Sequence, residues 1–157
     1  MMSLLIILSA KYLFIVSILI ALLYFLKTDK KNKKSLFFLA LLSFPFSFII
    51  AKILALFIND PRPFVVEHIR PLISHIADNG FPSDHTLLTM TIASVIFVFN
   101  KKLGIVLFMI ALFVGIARIL AQIHHPLDII GATLIAIGAT AIAFFLEKRF
   151  LKKVNTE

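Results

Sequence analysis

Residues 103–146, LGIVLFMIALFVGIARILAQIHHPLDIIGATLIAIGATAIAFFL, decide the fold. They hold two apolar runs, Leu103 to Gln122 and Pro126 to Leu146, each close to the roughly 20 residues that a helix needs to cross a bilayer. Pro126 disfavours helix at His125 and can itself start the next helix, so the two runs read as antiparallel spans hinged at His124-His125. Working outward, Leu4 to Leu26, Leu36 to Ile58 and Ser83 to Phe99 are further apolar runs. The chain therefore reads as an all-α polytopic membrane bundle of five transmembrane helices. Its 157 residues are 61% hydrophobic and 15% charged, more apolar material than one water-soluble domain buries. Nothing outside the spans is long enough for a second domain. The first run is too long for a signal-peptide core, is interrupted by Lys11 and lacks a small-x-small cleavage site, so it is expected to stay. With no cysteine, disulfides, thiolate chemistry and Cys-ligated metals are excluded.

The formal charge of +8 comes from 16 Lys and Arg against 8 Asp and Glu. In a soluble chain that excess would suggest nucleic acid; here the bases flank apolar runs and no nucleic-acid partner is implied. Lys27, Lys30, Lys31, Lys33, Lys34, Lys101, Lys102, Lys148, Arg149, Lys152 and Lys153 all fall on one side of a five-helix serpentine. Retention of Lys and Arg on the cytoplasmic side then predicts an inside C-terminus and an outside N-terminus. Lys11 is assigned to snorkelling. The other four bases, Lys52, Arg62, Arg70 and Arg118, lie towards the outer side with all five histidines.

Segment 59–82 is the one long connection. Val65, Val66, Ile69, Leu72, Ile73 and Ile76 recur at roughly helical spacing, and Pro71 interrupts them, predicting two short interfacial helical pieces. Asp78-Asn79-Gly80 then reads as a turn into the third span. Glu67, His68, His75 and Asp78 read as a solvated interfacial face, with headgroup recognition as the alternative.

Ionisable groups within or beside spans are costly, so each is a functional candidate. In Phe81-Pro82-Ser83-Asp84-His85, Pro and Ser are ordinary helix starters and Asp complements the dipole. That bland account leaves His85 unexplained, and the amides of a helix N-terminus also suit an anion. Asp128 follows His124 by four residues, a spacing at which a carboxylate can accept the Nδ1 proton and leave Nε2 free as base, nucleophile or ligand. The competing account is a snorkelling Arg118 and a His-Pro turn capped by Asp128. Asp60-Pro61-Arg62-Pro63 is either a rigid turn or a phosphate contact. Lys52 lies seven residues before Asn59, about 10 Å down its helix at 1.5 Å per residue, and needs an anion or the interface. Guanidinium forks hold phosphate oxygens and an ammonium adds a point charge. Together these groups read as a phosphate site with two bases, one histidine attacking phosphorus and the other, protonated, serving the leaving oxygen.

The motifs Lys52 to Arg62-Pro63, Pro82-Ser83-Asp84-His85 and Arg118-x5-His124-x3-Asp128 resemble the three signatures of the type 2 phosphatidic acid phosphatase (PAP2) superfamily of membrane lipid phosphatases over roughly residues 50–130. The resemblance implies that His124 is a nucleophile forming a phosphohistidine, Asp128 orients it, His85 is the general acid, and Lys52, Arg62, Ser83 and Arg118 hold the phosphoryl oxygens, with no metal or other cofactor. The Asp84 variant and the Pro-Leu-Asp-Ile ending resemble the bacitracin-resistance type of undecaprenyl diphosphate phosphatase, making Asp84 a candidate substrate contact. The sequence departs from the family pattern in three ways. Lys52 stands ten residues before Arg62 where seven is common, a shift of about 60° around the helix. Ala117 replaces a frequent serine, and five spans stand where six are usual.

What the resemblance implies is a hydrolase of cell wall biogenesis acting on undecaprenyl diphosphate at the outer face of a bacterial cytoplasmic membrane. The partners are then the bilayer and a lipid with a phosphate or diphosphate headgroup. Phosphatidate, phosphatidylglycerophosphate and lipid A phosphate are alternative substrates. A small transporter is the non-enzyme alternative, opposed by ionisable groups that gather at one face. A metal-dependent hydrolase using His124, His125 and Asp128 is opposed by the lack of a metal signature such as His-Glu-x-x-His.

Overall fold

The computed structural model describes residues 2–154; the side chains of Lys31, Lys152 and Lys153, counted above among the inner bases, lie outside the described set. The described residues form α1 (Met2–Lys27), α2 (Lys30–Ala55), α3 (Pro63–Val66), α4 (Asp84–Phe99), α5 (Lys101–Leu120) and α6 (Pro126–Val154). The five long helices match the five expected spans. Four of them are long and apolar enough to cross a membrane, and α4, with 16 residues, is shorter.

It is also enclosed by its neighbours. α4 packs against α1, α2, α5 and α6, and ten of its residues from Thr86 to Ile96 are buried. A helix enclosed by protein can carry hydroxyls if they are satisfied locally. Thr89, Thr91 and Ser94 donate to the carbonyls of His85, Leu87 and Met90, each at 2.8 Å. α6 presents Ala132, Ala136, Ala139 and Ala143, all at most 1% exposed, and small residues let membrane helices approach closely. α1 buries only Ala10 and Ser17 and leaves Leu4, Leu8, Ile15, Leu19 and Leu22 on the outside, as a lipid-facing helix does. An apolar cavity of ≈ 410 Å³ lies among α1, α2 and α4, lined by Leu22, Phe25, Leu36, Leu88 and Ile92 among others.

The chain order places the α1–α2 and α4–α5 turns at one end of the bundle, and the α2–α4 connection, the start of α4 and the α5–α6 turn at the other. Two expectations change here. α2 ends at Ala55 rather than Ile58. The connection forms one four-residue helix, α3, instead of two helical pieces, because its later backbone is engaged at long range. Leu72 N–H donates to Ala121 O (3.1 Å) and Gly80 N–H to Asp60 O (2.8 Å). The Asn79 amide donates to Ala55 O and Ile58 O while its carbonyl oxygen accepts from the Asp60 and Phe81 amides. Of the apolar residues that suggested the second piece, only Ile73 is buried.

Candidate active site

The α5–α6 turn builds the centre. α5 ends in a Schellman cap: Ile123 N–H bonds to Arg118 O (3.3 Å), Gln122 N–H to Ile119 O (2.9 Å), and Gln122 takes the left-handed conformation at φ 63°. The cap ties Arg118, in the last turn, to the residue preceding His124. Pro126 then opens α6, so Asp128 falls in its first turn.

His124 is 2% exposed and Asp128 is fully buried. Nδ1 of His124 donates to Asp128 Oδ2 at 3.0 Å, and the same oxygen accepts the His125 amide at 2.9 Å. Two acceptances by one oxygen hold the carboxylate and fix the imidazole with Nε2 free of hydrogen. Two guanidiniums face that nitrogen, Arg62 Nη1 at 3.3 Å and Arg118 Nη2 at 3.4 Å. Burial, with the nearby charges of Arg118 and Arg62, holds His124 below the ordinary histidine value of 6.5, although the Asp128 hydrogen bond pulls the other way. The ring is therefore neutral at neutral pH, with its lone pair lying between two cations. An anion placed there meets both guanidiniums and the lone pair at once.

Each arginine is anchored elsewhere, which keeps it from collapsing away from this point. Arg62, 5% exposed, donates from Nε to Asp78 Oδ1 at 2.7 Å and from Nη1 to Ile123 O at 2.8 Å. Arg118, 4% exposed, donates from Nη1 to Ala10 O at 3.1 Å. Burial alone would raise the Asp78 carboxyl, but the hydrogen bond and charge of Arg62 outweigh it and hold the group below its ordinary range.

Ser83 is fully buried, and its amide donates to Asp128 O (3.3 Å), joining the starts of α4 and α6. Its hydroxyl makes no helix cap; it accepts from Thr86 Oγ1 at 3.1 Å, which leaves its own proton available to a ligand. His85 sits half-buried in the first turn of α4, with the Phe14 ring edge-on at 4.9 Å. Close approach at this end requires glycine twice. A Cβ at Gly131 would lie 2.2 Å from the Phe81 ring, and one at Gly80 would lie 3.0 Å from Asp128 Oδ2 and 3.1 Å from Asp60 O.

The structure thus brings together His124, Asp128, Arg62, Arg118 and Ser83, with His85 at the adjoining helix start. It does not bring Lys52 to them. That side chain is exposed and makes no hydrogen bond or ion pair among the described residues, whereas the neighbouring Ala51 faces inward. Asp84 is exposed. The sequence offered Asp78 and His75 only as a solvated face or a headgroup contact, not as neighbours of Arg62 and His124, and gave no sign of the Ala10 and Ile123 carbonyls. Asp78 precedes Asn79-Gly80 and looks like turn chemistry, and carbonyl acceptors carry no side-chain signal.

A metal would find a different set from the one expected. Asp60, His125 and Asp128 offer ligand atoms within 4.8 Å of one another, and His125 Nδ1 lies 3.0 Å from Asp60 Oδ1; His124 is outside this group, its Nδ1 held by Asp128. Burial and the Asp128 charge raise the Asp60 carboxyl, while the nearby His125 pulls it the other way.

Comparison with known proteins agrees with the geometry. A bacitracin transport permease protein BcrC from Bacillus licheniformis is 34% identical over 123 residues, covering 78% of this chain and 60% of that protein. The undecaprenyl-diphosphatase BcrC of Bacillus subtilis is 40% identical over 78 residues, covering 50% of this chain and 40% of the relative. The chain thus spans less than two thirds of either relative's length. The crystal structure of Aquifex aeolicus LpxE superposes with a TM-score of 0.75 at 26% identity, covering 91% of this chain and 85% of that one. Residues 36–151, from within α2 to within α6 and including every motif residue above, match the PAP2 superfamily, and the chain belongs to that superfamily.

Proposed function

We propose that the protein is a metal-independent lipid phosphatase that hydrolyses undecaprenyl diphosphate to undecaprenyl phosphate through a phosphohistidine. One observation carries the reading: a buried, neutral His124 whose Nδ1 is held by Asp128 and whose Nε2 is flanked by two anchored guanidiniums. Phosphoryl transfer needs positioning and charge neutralisation more than any other device, and this arrangement supplies both.

In the proposed sequence Nε2 attacks the terminal phosphorus in line. The N–P bond forms as the bond from phosphorus to the bridging oxygen breaks, and that oxygen takes the electron pair and a proton from His85. Arg62, Arg118 and the Ser83 hydroxyl hold the non-bridging oxygens, and Asp128 balances the positive charge that develops on His124. Water, losing a proton to His85, then attacks the phosphohistidine; the N–P electron pair returns to His124 and inorganic phosphate departs. The apolar cavity lined by Leu88 and Ile92 runs down α4 from one turn below His85, giving a lipid tail an apolar wall. The basic inner ends favour the extracytoplasmic side of a bacterial cytoplasmic membrane for the site.

Detergent-purified protein should release phosphate from undecaprenyl diphosphate in excess chelator, and rapid acid-free quenching should trap an acid-labile phosphoenzyme. His124→Ala should abolish the phosphoenzyme and lower kcat by about 10³-fold or more. Full turnover in that variant would refute the nucleophile. Higher kcat/KM for phosphatidate, phosphatidylglycerophosphate or a lipid A phosphate would refute the substrate.

A further inference from the structure

The connection between α3 and α4 carries a third histidine into the neighbourhood of His124. The His75 ring stands edge-on to the His124 ring, with centroids 6.4 Å apart and an interplanar angle of 73°. Its position is held on both sides. Leu72 is hydrogen-bonded to Ala121 O, Ile73 is buried against the α5 end, and Asp78 is clamped to Arg62. Nδ1 of His75 lies 3.3 Å from Ile76 O, so Nε2 is the nitrogen left for a ligand. His124, Arg62 and Arg118 are nearly fully buried while His75 is only partly so, which sets it at the mouth of the site.

The charge inventory shows what such a group would serve. In the proposed mechanism the two guanidiniums beside His124 Nε2, with Ser83, are taken up by the oxygens of one phosphoryl group. A diphosphate brings a second phosphate, which stays on the lipid and lies further out. Lys52, the remaining cation in the motifs, is exposed and unengaged, and Ala55 occupies the position seven residues before Arg62. His75, whose ring lies 6.4 Å from that of His124, is an ionisable side chain within reach of such a phosphate.

We propose that His75 is a headgroup-binding residue that donates from Nε2 to the phosphate remaining on the lipid, and so favours diphosphate over monophosphate substrates. This rests on the lipid phosphatase reading above. Without a ligand, burial and the Arg62 and Arg118 charges hold His75 below the ordinary histidine value, while the adjacent Asp78 raises it slightly. An incoming diphosphate reverses the sign of that field and favours the protonated donor.

The test compares kcat/KM for undecaprenyl diphosphate and for phosphatidate in wild type, His75→Ala and His75→Gln, all checked for a monodisperse fold in detergent. His75→Ala should lower the diphosphate-to-monophosphate ratio of kcat/KM about tenfold, mostly through KM, the size expected for one hydrogen bond to a charged group. His75→Gln, which keeps an N–H donor, should recover part of it. An unchanged ratio, or equal losses on both substrates, would overturn the proposal while leaving the phosphatase reading standing. A wild-type protein inactive on the diphosphate lipid would overturn both.

Discussion

Replacing Asp128 with Asn tests the centre of the site. Oδ2 accepts from both His124 Nδ1 (3.0 Å) and the His125 amide (2.9 Å), whereas Oδ1 has no hydrogen-bond partner. An Asn side chain therefore keeps its carbonyl oxygen at the Oδ2 position and its NH2 at Oδ1, so the His124 tautomer survives and what is lost is charge. Two magnitudes bracket the cost. Turning a charge-assisted hydrogen bond into a neutral one removes roughly 1–2 kcal/mol. Losing a full charge 3.0 Å from Nδ1 of the ring that becomes cationic removes at most about 5.5 kcal/mol at an effective dielectric near 20. A fall in kcat of about 10²- to 10³-fold lies between them, since 1.36 kcal/mol is tenfold. The pH profile supplies a signature that a merely disrupted site would lack. His124 must be neutral to attack, so the acid limb lies at its folded pKa, already below 6.5. The negative charge of Asp128 also raises that pKa, so removing it moves the acid limb to lower pH even as the maximal rate falls. Initial rates of phosphate release from pH 4 to 9, for wild type and Asp128→Asn, measure both effects. An acid limb that stays put or rises, or a rate within about threefold of wild type, would refute the arrangement.

Asp78→Asn should lower kcat/KM about fivefold, from loss of the ion pair that steers Arg62. The partner is half exposed, so the coupling is set at about 1 kcal/mol, and a double-mutant cycle with Arg62→Lys should be non-additive. Lys52→Ala should change kcat/KM by no more than about twofold, because the exposed ammonium touches none of the site groups; a loss of tenfold or more in the same phosphate-release assay would show that it reaches the headgroup.

Much of the architecture was legible because hydropathy and length act locally. A run of about 20 apolar residues has few options in a bilayer, and the hairpin at His124-His125 follows from Pro126. The His124–Asp128 contact was legible for the same reason, since four residues across a helix start hold the pair together. The α2–α4 connection was not. Its apolar spacing suggested helix, but its backbone groups bond to Ala121, Asp60 and the Asn79 side chain, and periodicity carries no record of such partners. Lys52 is a different case: an azimuth on a helix says which face a residue shares, not which way that face turns in the bundle, and α2 turns Ala51 inward and leaves Lys52 exposed.

The sequence by itself determined the number and order of the spans, the end at which the chemistry gathers, and the chemical types available there. Tertiary structure decided which groups meet. Arg62 and Arg118 converge on one nitrogen because Asp78 and Ile123 hold the first and Ala10, on a helix outside the matched family region, holds the second. It also carried His75 to the mouth of the site. Those contacts join residues up to 108 positions apart, so they depend on how the helices pack and not on any local propensity.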